Sequence, residues 1–565
     1  MANTLLQPLR FSLRAITRTL WMQGIEFRSD ERFALCVSFV WLLCYNTAFW
    51  RQAVGAMWHG DLISIGFLAS LGVLVVSLQA ILLLLFPTRR LLKLAASVLF
   101  PIAAASAWFC DSYGIVMNED MMRNVLQTDS SESSALLNGS LLLQFVLMGI
   151  LPAILVWRVR LPLVPIRRML MRRIAFIVGA IALCLSSVFA FSSSYAVFLR
   201  EHKPIRFMMV PAAPVTSLTG LVTRAKAGGN EPPIDVTGNV HRVSSIQARP
   251  IVLFLVIGET ARAANFQLGG YARPTNRELV GVDNLTYFSA ATSCGTATAI
   301  SVPCIFSHLP RDQFKVADAD RYTNLLDVLE KGGFDVEWHD NNAGCKGVCA
   351  RVTTVDYHSD EFAKNCESNE CPDEVMLGGL EQRLASIERD TVIVFHQMGS
   401  HGPAYSHRYP PQFEIFKPAC RSNQLQRCSA EEVRNAYDNT IAYTSHVLRQ
   451  QIAILNNAST VDAALMYVSD HGESLGERGV YLHGLPYAFA PSEQTHVPLM
   501  FWASPAYAQR THLKMKCVEE SSRADVSHDN IYHTVLGATE LRNDYYEPQL
   551  DLLSACRFGD GRGHE

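Results

Sequence analysis

Two hydrophobic patterns divide the chain near residue 200. Before it, apolar stretches at roughly 33–50, 62–86, 91–110, 141–157 and 174–198 each approach the ~20 residues that cross a hydrocarbon core. Five membrane spans are therefore expected. Four more spans follow the first, so it is not read as a cleaved leader. From residue 250 the runs shorten and end in polar clusters. Residues 251–257 lead into Gly258-Glu259-Thr260, residues 463–469 into Asp470-His471-Gly472-Glu473, residues 392–395 into His396 with His401 close behind, and residues 334–338 into His339-Asp340-Asn341-Asn342. Such runs predict buried parallel strands whose carboxyl ends open into a site. Helix-like segments at 322–331, 373–387 and 430–456 alternate with them, the pattern of an α/β domain.

Basic residues set the expected orientation. Arg10, Arg14, Arg18 and Arg28 precede the first stretch, Arg89, Arg90 and Lys93 separate the second from the third, and Arg158, Arg160, Arg167, Arg168, Arg172 and Arg173 separate the fourth from the fifth. The positive-inside rule places all three segments in the cytoplasm. An odd number of spans then puts everything after residue 198 outside, together with the acidic segment 111–139 containing Asp111, Glu119, Asp120, Asp129 and Glu132. The expected division is a transmembrane domain at 1–198, a bridging segment at 199–249 whose Leu218, Leu221 and Val222 suit an interfacial helix, and an outer α/β domain at 250–565.

Cysteine usage agrees. Of fourteen cysteines, Cys36, Cys44, Cys110 and Cys184 lie in or beside the spans, and the rest fall as Cys294/Cys304, Cys345/Cys349, Cys366/Cys371, Cys420/Cys428 and Cys517/Cys556. An even set of sequence neighbours outside the cytosol predicts five disulfides. The formal net charge of −3 argues nothing about nucleic acid, but the outer domain has no basic, aromatic-interleaved patch, so no nucleic-acid partner is expected.

The candidate chemistry sits at the predicted strand ends. Glu259, Asp470 and His471 offer two carboxylates and an imidazole, a donor set that suits Zn²⁺. His401 and His483 are placed to complete a second metal site or to bind substrate, and Glu473 to orient a neighbour. A metal of this kind activates a hydroxyl nucleophile that is otherwise too weakly acidic. The loop from Ser293 to Cys304 offers Thr296, Thr298 and Ser301, among which chemistry alone does not choose.

The stretches Gly258-Glu259-Thr260-Ala261-Arg262, Ser293 to Cys304, Cys345-Lys346-Gly347-Val348-Cys349, Gly399-Ser400-His401-Gly402-Pro403 and Ser469 to Glu477 resemble those of the lipid A phosphoethanolamine transferases, which include the mobile colistin-resistance enzymes. The resemblance covers nearly the whole chain. It implies a five-helix transmembrane domain before an α/β soluble domain of alkaline-phosphatase/sulfatase-like fold. It implies Thr298 as nucleophile, Glu259, Thr298, Asp470 and His471 as ligands of one Zn²⁺ with room for a second, and His401, His483, Lys346 and Asn342 around the substrate. It further implies a monomer in the Gram-negative inner membrane with its catalytic domain in the periplasm. The implied reaction has two steps. Thr298 takes phosphoethanolamine from phosphatidylethanolamine, releasing diacylglycerol, and passes it to a phosphate of lipid A. The added ammonium masks negative charge, so cationic peptides such as polymyxin are attracted less.

Three rival readings compete with this one. A sulfatase-type hydrolase needs arginine where Ile305 follows Ser301-Val302-Pro303-Cys304. A transferase acting on the lipopolysaccharide core or a periplasmic glucan shares every motif. A non-catalytic lipid-binding or sensor protein is disfavoured because each ligand and nucleophile position is filled. In the outer loop, Asn124, Thr128 and Glu132 recur every fourth residue, which predicts one helix face. They match positions that in the family line the donor site. The topology predicts that a C-terminal alkaline phosphatase reporter is active and a cytosolic fluorescent reporter dark; the reverse would overturn it.

Overall fold

The computed structural model describes residues 25–128, 133, 136–227, 233–243, 249–359, 362, 366 and 371–557. Arg10, Arg14, Arg18, Asp129 and Glu132, used in the sequence argument, lie outside the described residues. The chain forms two compact units, one of Met1–Glu119 with Leu137–Thr219 and one of Asp120–Leu136 with Gly220–Glu565.

In the first unit the leading apolar stretch is two helices, α1 (Asp30–Cys44) and α2 (Thr47–Met57), bent by 69°. Helices α3 (Leu62–Leu84), α4 (Arg89–Tyr113), α6 (Gly139–Arg158) and α7 (Ile166–Ala190) are each long and apolar enough to cross a membrane. The described residues thus hold four such helices, or five spans when the bent pair counts as one. The break has a local cause. Asn46 donates to Trp41 O and Val210 O, both at 2.8 Å, and accepts from Val210 N at 2.9 Å. Those bonds give the end of α1 lateral partners in place of another turn. Gln79 donates to the same Val210 carbonyl, and Ser217 to Met117 O, so residues up to Thr219 pack within this unit. At its other end Asp30, buried, accepts from Arg173 at 2.8 Å and Arg89 at 3.2 Å. That carboxylate ties α1, α4 and α7 together with its charge compensated.

The second unit contains the short helix α5 (Glu119–Gln127), all but its first residue, and an eight-stranded sheet. Its strands are β1 (Ile251–Gly258), β2 (Leu285–Thr292), β3 (Asp335–Asp340), β4 (Thr353–Asp356), β5 (Thr391–His396), β6 (Asp462–Ser469), β7 (His496–Ala503) and β8 (Val526–Ser527). Their order is β8-β2-β7-β6-β1-β5-β3-β4. Strands β6, β1, β5, β3 and β4 run parallel, whereas β7 is antiparallel to both neighbours. Every residue of β1, β5 and β6 is buried, which explains why they read as unbroken apolar runs. The core on this sheet includes Leu253, Val394, Met466, Trp338 and Phe501. Helix α9 (Ala430–Asn457) starts at a capping box in which Ser429 and Glu432 each bond the other's backbone amide. The five disulfides join Cys294–Cys304, Cys345–Cys349, Cys366–Cys371, Cys420–Cys428 and Cys517–Cys556.

Candidate active site and metal centre

Register brings the site together. Gly258 of β1 lies opposite Ser469 of β6, and Ile257 opposite His396 of β5. The next residue on each chain, Glu259 and Asp470, therefore emerges at the same carboxyl edge. Thr298 begins helix α8 (Thr298–Ile305), whose preceding Ala297 has no side chain with which to cap the first turn. Such a start presents amide groups to an anion.

Thr298 Oγ1 donates to Glu259, 3.1 Å from Oε2 and 3.2 Å from Oε1, and lies 3.3 Å from His471 Nε2. His471 Nε2 is also 3.4 Å from Glu259 Oε1 and 3.3 Å from Asp470 Oδ2. On the opposite side of the ring, Nδ1 donates to Gly472 O at 2.9 Å. In the neutral ring Nε2 is then a bare lone pair aimed at two carboxylates. Asp470 Oδ1 accepts from Thr260 N and His471 N, but Oδ2 is buried without a hydrogen bond. Lone pairs that converge from fully buried groups fit a metal ion. Among the described residues, Glu259, Asp470 and His471 are the one group of three such side chains close enough to hold one.

Residues 252–541 match the family model described as Sulfatase, and residues 75–225 the one described as Phosphoethanolamine transferase EptA/EptB. Phosphoethanolamine transferase EptA of Salmonella typhimurium is 37% identical over 528 residues, 93% of this chain and 96% of that protein. The chain belongs to the phosphoethanolamine transferases. Phosphatidylethanolamine transferase Mcr-1 of Escherichia coli is 39% identical over 454 residues, 78% of this chain and 83% of its own. The integral membrane protein lipooligosaccharide phosphoethanolamine transferase A (EptA) from Neisseria meningitidis matches with a TM-score of 0.91 at 31% identity, covering 94% of this chain and 99% of that one.

Within this transferase the other hydroxyls of the loop are differently engaged. Thr296 Oγ1 donates to Leu485 O at 2.6 Å, and Ser301 is fully buried. His401 and His483 face each other with ring centres 5.9 Å apart, and His483 lies 4.3 Å from the His471 ring. Glu473 is buried and holds His483 Nδ1 at 2.8 Å with one oxygen, accepting from Tyr405 at 2.6 Å with the other. Asn342 is buried beside the candidate ligands. Its amide donates to Glu259 Oε2 at 3.0 Å and Gln397 O at 2.7 Å, which uses both hydrogens. Lys346 Nζ donates to Ala343 O within the loop of the Cys345–Cys349 disulfide.

Asn124 lies on α5, where its Nδ2 would be 3.7 Å from a Cβ on Gly484, the residue after His483. The helix ends at Gln127, so Thr128 does not extend a helical face as the spacing predicted. The Thr128 hydroxyl donates to Asn124 O at 2.8 Å, the local competition with helix bonding typical of Thr, Ser and Asp. Glu132 lies outside the described residues.

Asp373 escaped the sequence reading because no strand end flags it. Its buried carboxylate accepts from Met398 N, Gly399 N and Asn341 Nδ2, fixing the turn that leads to His401. Gly399 is required there. Its φ is +53°, and a Cβ would stand 2.7 Å from Glu259 O.

Burial alone would raise Glu259, but the imidazoles of His471, His401 and His483 hold it below the usual carboxylate range. Asp470 is pushed up to about 6 by burial and then by the Glu259 carboxylate. Burial pushes His401 down to about 3. His483 goes the other way, because Glu473 more than offsets burial and raises it to about 9. His483 is therefore cationic below about pH 9 and loses its charge as pH rises through that value. Glu473→Gln keeps an acceptor but removes the charge. The alkaline limb of the transfer rate is expected to move down by ~1 pH unit or more; a pH–rate profile identical to the native one would contradict this control of His483.

Proposed function

We propose that this protein transfers phosphoethanolamine from phosphatidylethanolamine to a phosphate of lipid A through a phosphothreonine at Thr298. The supporting observation is that Thr298, of the three loop hydroxyls, is the one in contact with both Glu259 and His471. Ionised Glu259 accepts the hydroxyl's hydrogen bond. The oxygen then attacks phosphorus, the bond to the diacylglycerol oxygen breaks, and that oxygen leaves with the proton that Thr298 gives up. In the second step an oxygen of the protonated lipid A phosphate attacks the same phosphorus, the Thr298–phosphorus bond breaks, and the threonine oxygen takes up the proton that the phosphate gives up. Cationic His483 and neutral His401 are placed to donate to the phosphoryl oxygens, and Lys346 is assigned the same role by family pattern.

The resident ion is proposed to be Zn²⁺, held by Glu259, Thr298, Asp470 and His471. Thr298 Oγ1, Glu259 Oε1 and His471 Nε2 lie 3.2–3.4 Å apart and Asp470 Oδ2 is 3.3 Å from His471 Nε2, close enough that all four would reach one zinc ion. When bound, zinc would favour the alkoxide and offset phosphoryl charge. A second ion would draw on His401 and His483. A monomer is proposed on the family resemblance alone. The spans and five disulfides support the inner membrane, with residues 250–565 in the periplasm. Asn124, Thr128 and Glu132 are proposed to meet the donor's ethanolamine end. The product carries less negative charge, which favours resistance to polymyxin and other cationic peptides.

Mass spectrometry of lipid A from expressing cells is expected to show an added phosphoethanolamine. Thr298→Ala should abolish it and Thr296→Ala retain it, since the latter loses one hydrogen bond worth on the order of 1 kcal/mol. Unmodified lipid A with modified core sugars would move the acceptor to the core.

A further inference from the structure

The nucleophile loop must hold a fixed position relative to the strand that ends in Asp470 and His471, yet its disulfide cannot supply that reference. Cys294–Cys304 ties the loop to helix α8, and loop and helix can shift together. A bond to a group outside both is needed. His528, the residue before helix α10 (Asp529–Ala538), provides it. Its ring is buried, with Nδ1 3.0 Å from Cys294 N and Nε2 3.0 Å from Ser469 O. Cys294 opens the loop four residues before Thr298, and Ser469 directly precedes Asp470.

These two bonds define a single state of the ring. A backbone N–H can only donate, so Nδ1 is bare; a carbonyl can only accept, so Nε2 carries the hydrogen. Burial, which pushes His528 down to about 3, favours the same neutral form. His528 is itself anchored, because its backbone N donates to Thr292 O at the end of β2. The backbone of Ser469 is fixed in the sheet opposite Gly258, and its hydroxyl accepts from Ala261 N at 2.8 Å and donates to His471 O at 2.9 Å. Cys294 O accepts from Arg311 Nε at 3.1 Å, which steadies the next peptide of the loop.

We propose that His528 is a positioning residue for transfer, a neutral imidazole bridge that sets the distance between Thr298 and the ligand-bearing end of β6. It touches neither substrate nor metal ligand side chain. This rests on the reading of Thr298 as nucleophile with Glu259, Asp470 and His471 as metal ligands. Displacement of a reacting group by about 1 Å can cost on the order of 10²-fold in rate, so loss of the bridge should reduce kcat more than binding.

The full-length enzyme, assayed with a fluorescent phosphatidylethanolamine, tests this. His528→Phe keeps the ring's bulk and removes both bonds. It is expected to lower kcat roughly 10- to 100-fold with KM changed by less than about twofold and metal content unchanged. His528→Asn places an oxygen near Nδ1 and keeps an acceptor for Cys294 N, whereas His528→Gln places its amide near Nε2 and keeps the Ser469 bond. Each variant keeps one end of the bridge only, so both are expected to fall below native kcat with KM changed by less than about twofold. Native kcat in the Phe variant would overturn the proposal. If the Phe variant does not fold, native kcat in both the Asn and the Gln variant overturns it. Thr298→Ala, run in parallel, separates the two ideas. Retained transfer there refutes the nucleophile assignment itself, while an inactive Thr298→Ala beside a fully active His528→Phe refutes only the bridge.

Discussion

Glu259 and Asp470 are two fully buried carboxylates at the ends of adjacent parallel strands, with one imidazole between them. Two like charges 4 Å apart repel by about 4 kcal/mol at the effective dielectric of a protein, and desolvation adds several kcal/mol per ion. Backbone amides offset part of this through Asp470 Oδ1, and Asn342 and the Thr260 hydroxyl through Glu259. A cation bound between them would remove the rest. Without it, the pair is a stored electrostatic cost that the surrounding structure must hold in place.

The surroundings show how that cost is held. Thr260, a β-branched residue, sits at φ +59° so that its amide reaches Asp470, a conformation that persists only where neighbours enforce it. Tyr437 on α9 does so, donating to Thr260 O at 2.7 Å and accepting from Arg262 N at 2.9 Å. Asp373 plays the matching part for the turn before His401. Glu473 couples Tyr405 to His483, so the cationic histidine is oriented by a group that is itself fixed. Rigidity at the site thus comes from side chains on several elements, all referred to β1, β5 and β6.

Much of this was legible in the sequence, for a physical reason. Strands buried on both faces read as apolar runs, and the residue after each run marks the edge of the sheet, which is how Glu259, Asp470 and His471 could be named together. The choice of Thr298 was not legible from chemistry. It needed the family pattern; in three dimensions Thr296 bonds Leu485 O and Ser301 lies buried, which supports that choice. Long-range partners stayed hidden. The bend after α1 depends on Val210, 164 residues from Asn46, and hydropathy carries no trace of it. The contact of Asn342 with Glu259 and Gln397 O, which takes both its amide hydrogens, was likewise not legible. Helix α5 stops before Thr128, whose hydroxyl bonds the Asn124 carbonyl, and periodicity carries no sign of that end.

The central claim is that a single hydroxyl, held against this carboxylate pair, carries the phosphoethanolamine between donor and acceptor. Incubating the purified enzyme with phosphatidylethanolamine and no acceptor, then mapping peptides by mass spectrometry, tests it most directly. The account predicts one phosphoethanolamine on the peptide bearing Thr298, fragmenting to that residue and disappearing when lipid A is added. Modification at Thr296 or Ser301, or turnover with no modified peptide at any time, would contradict it.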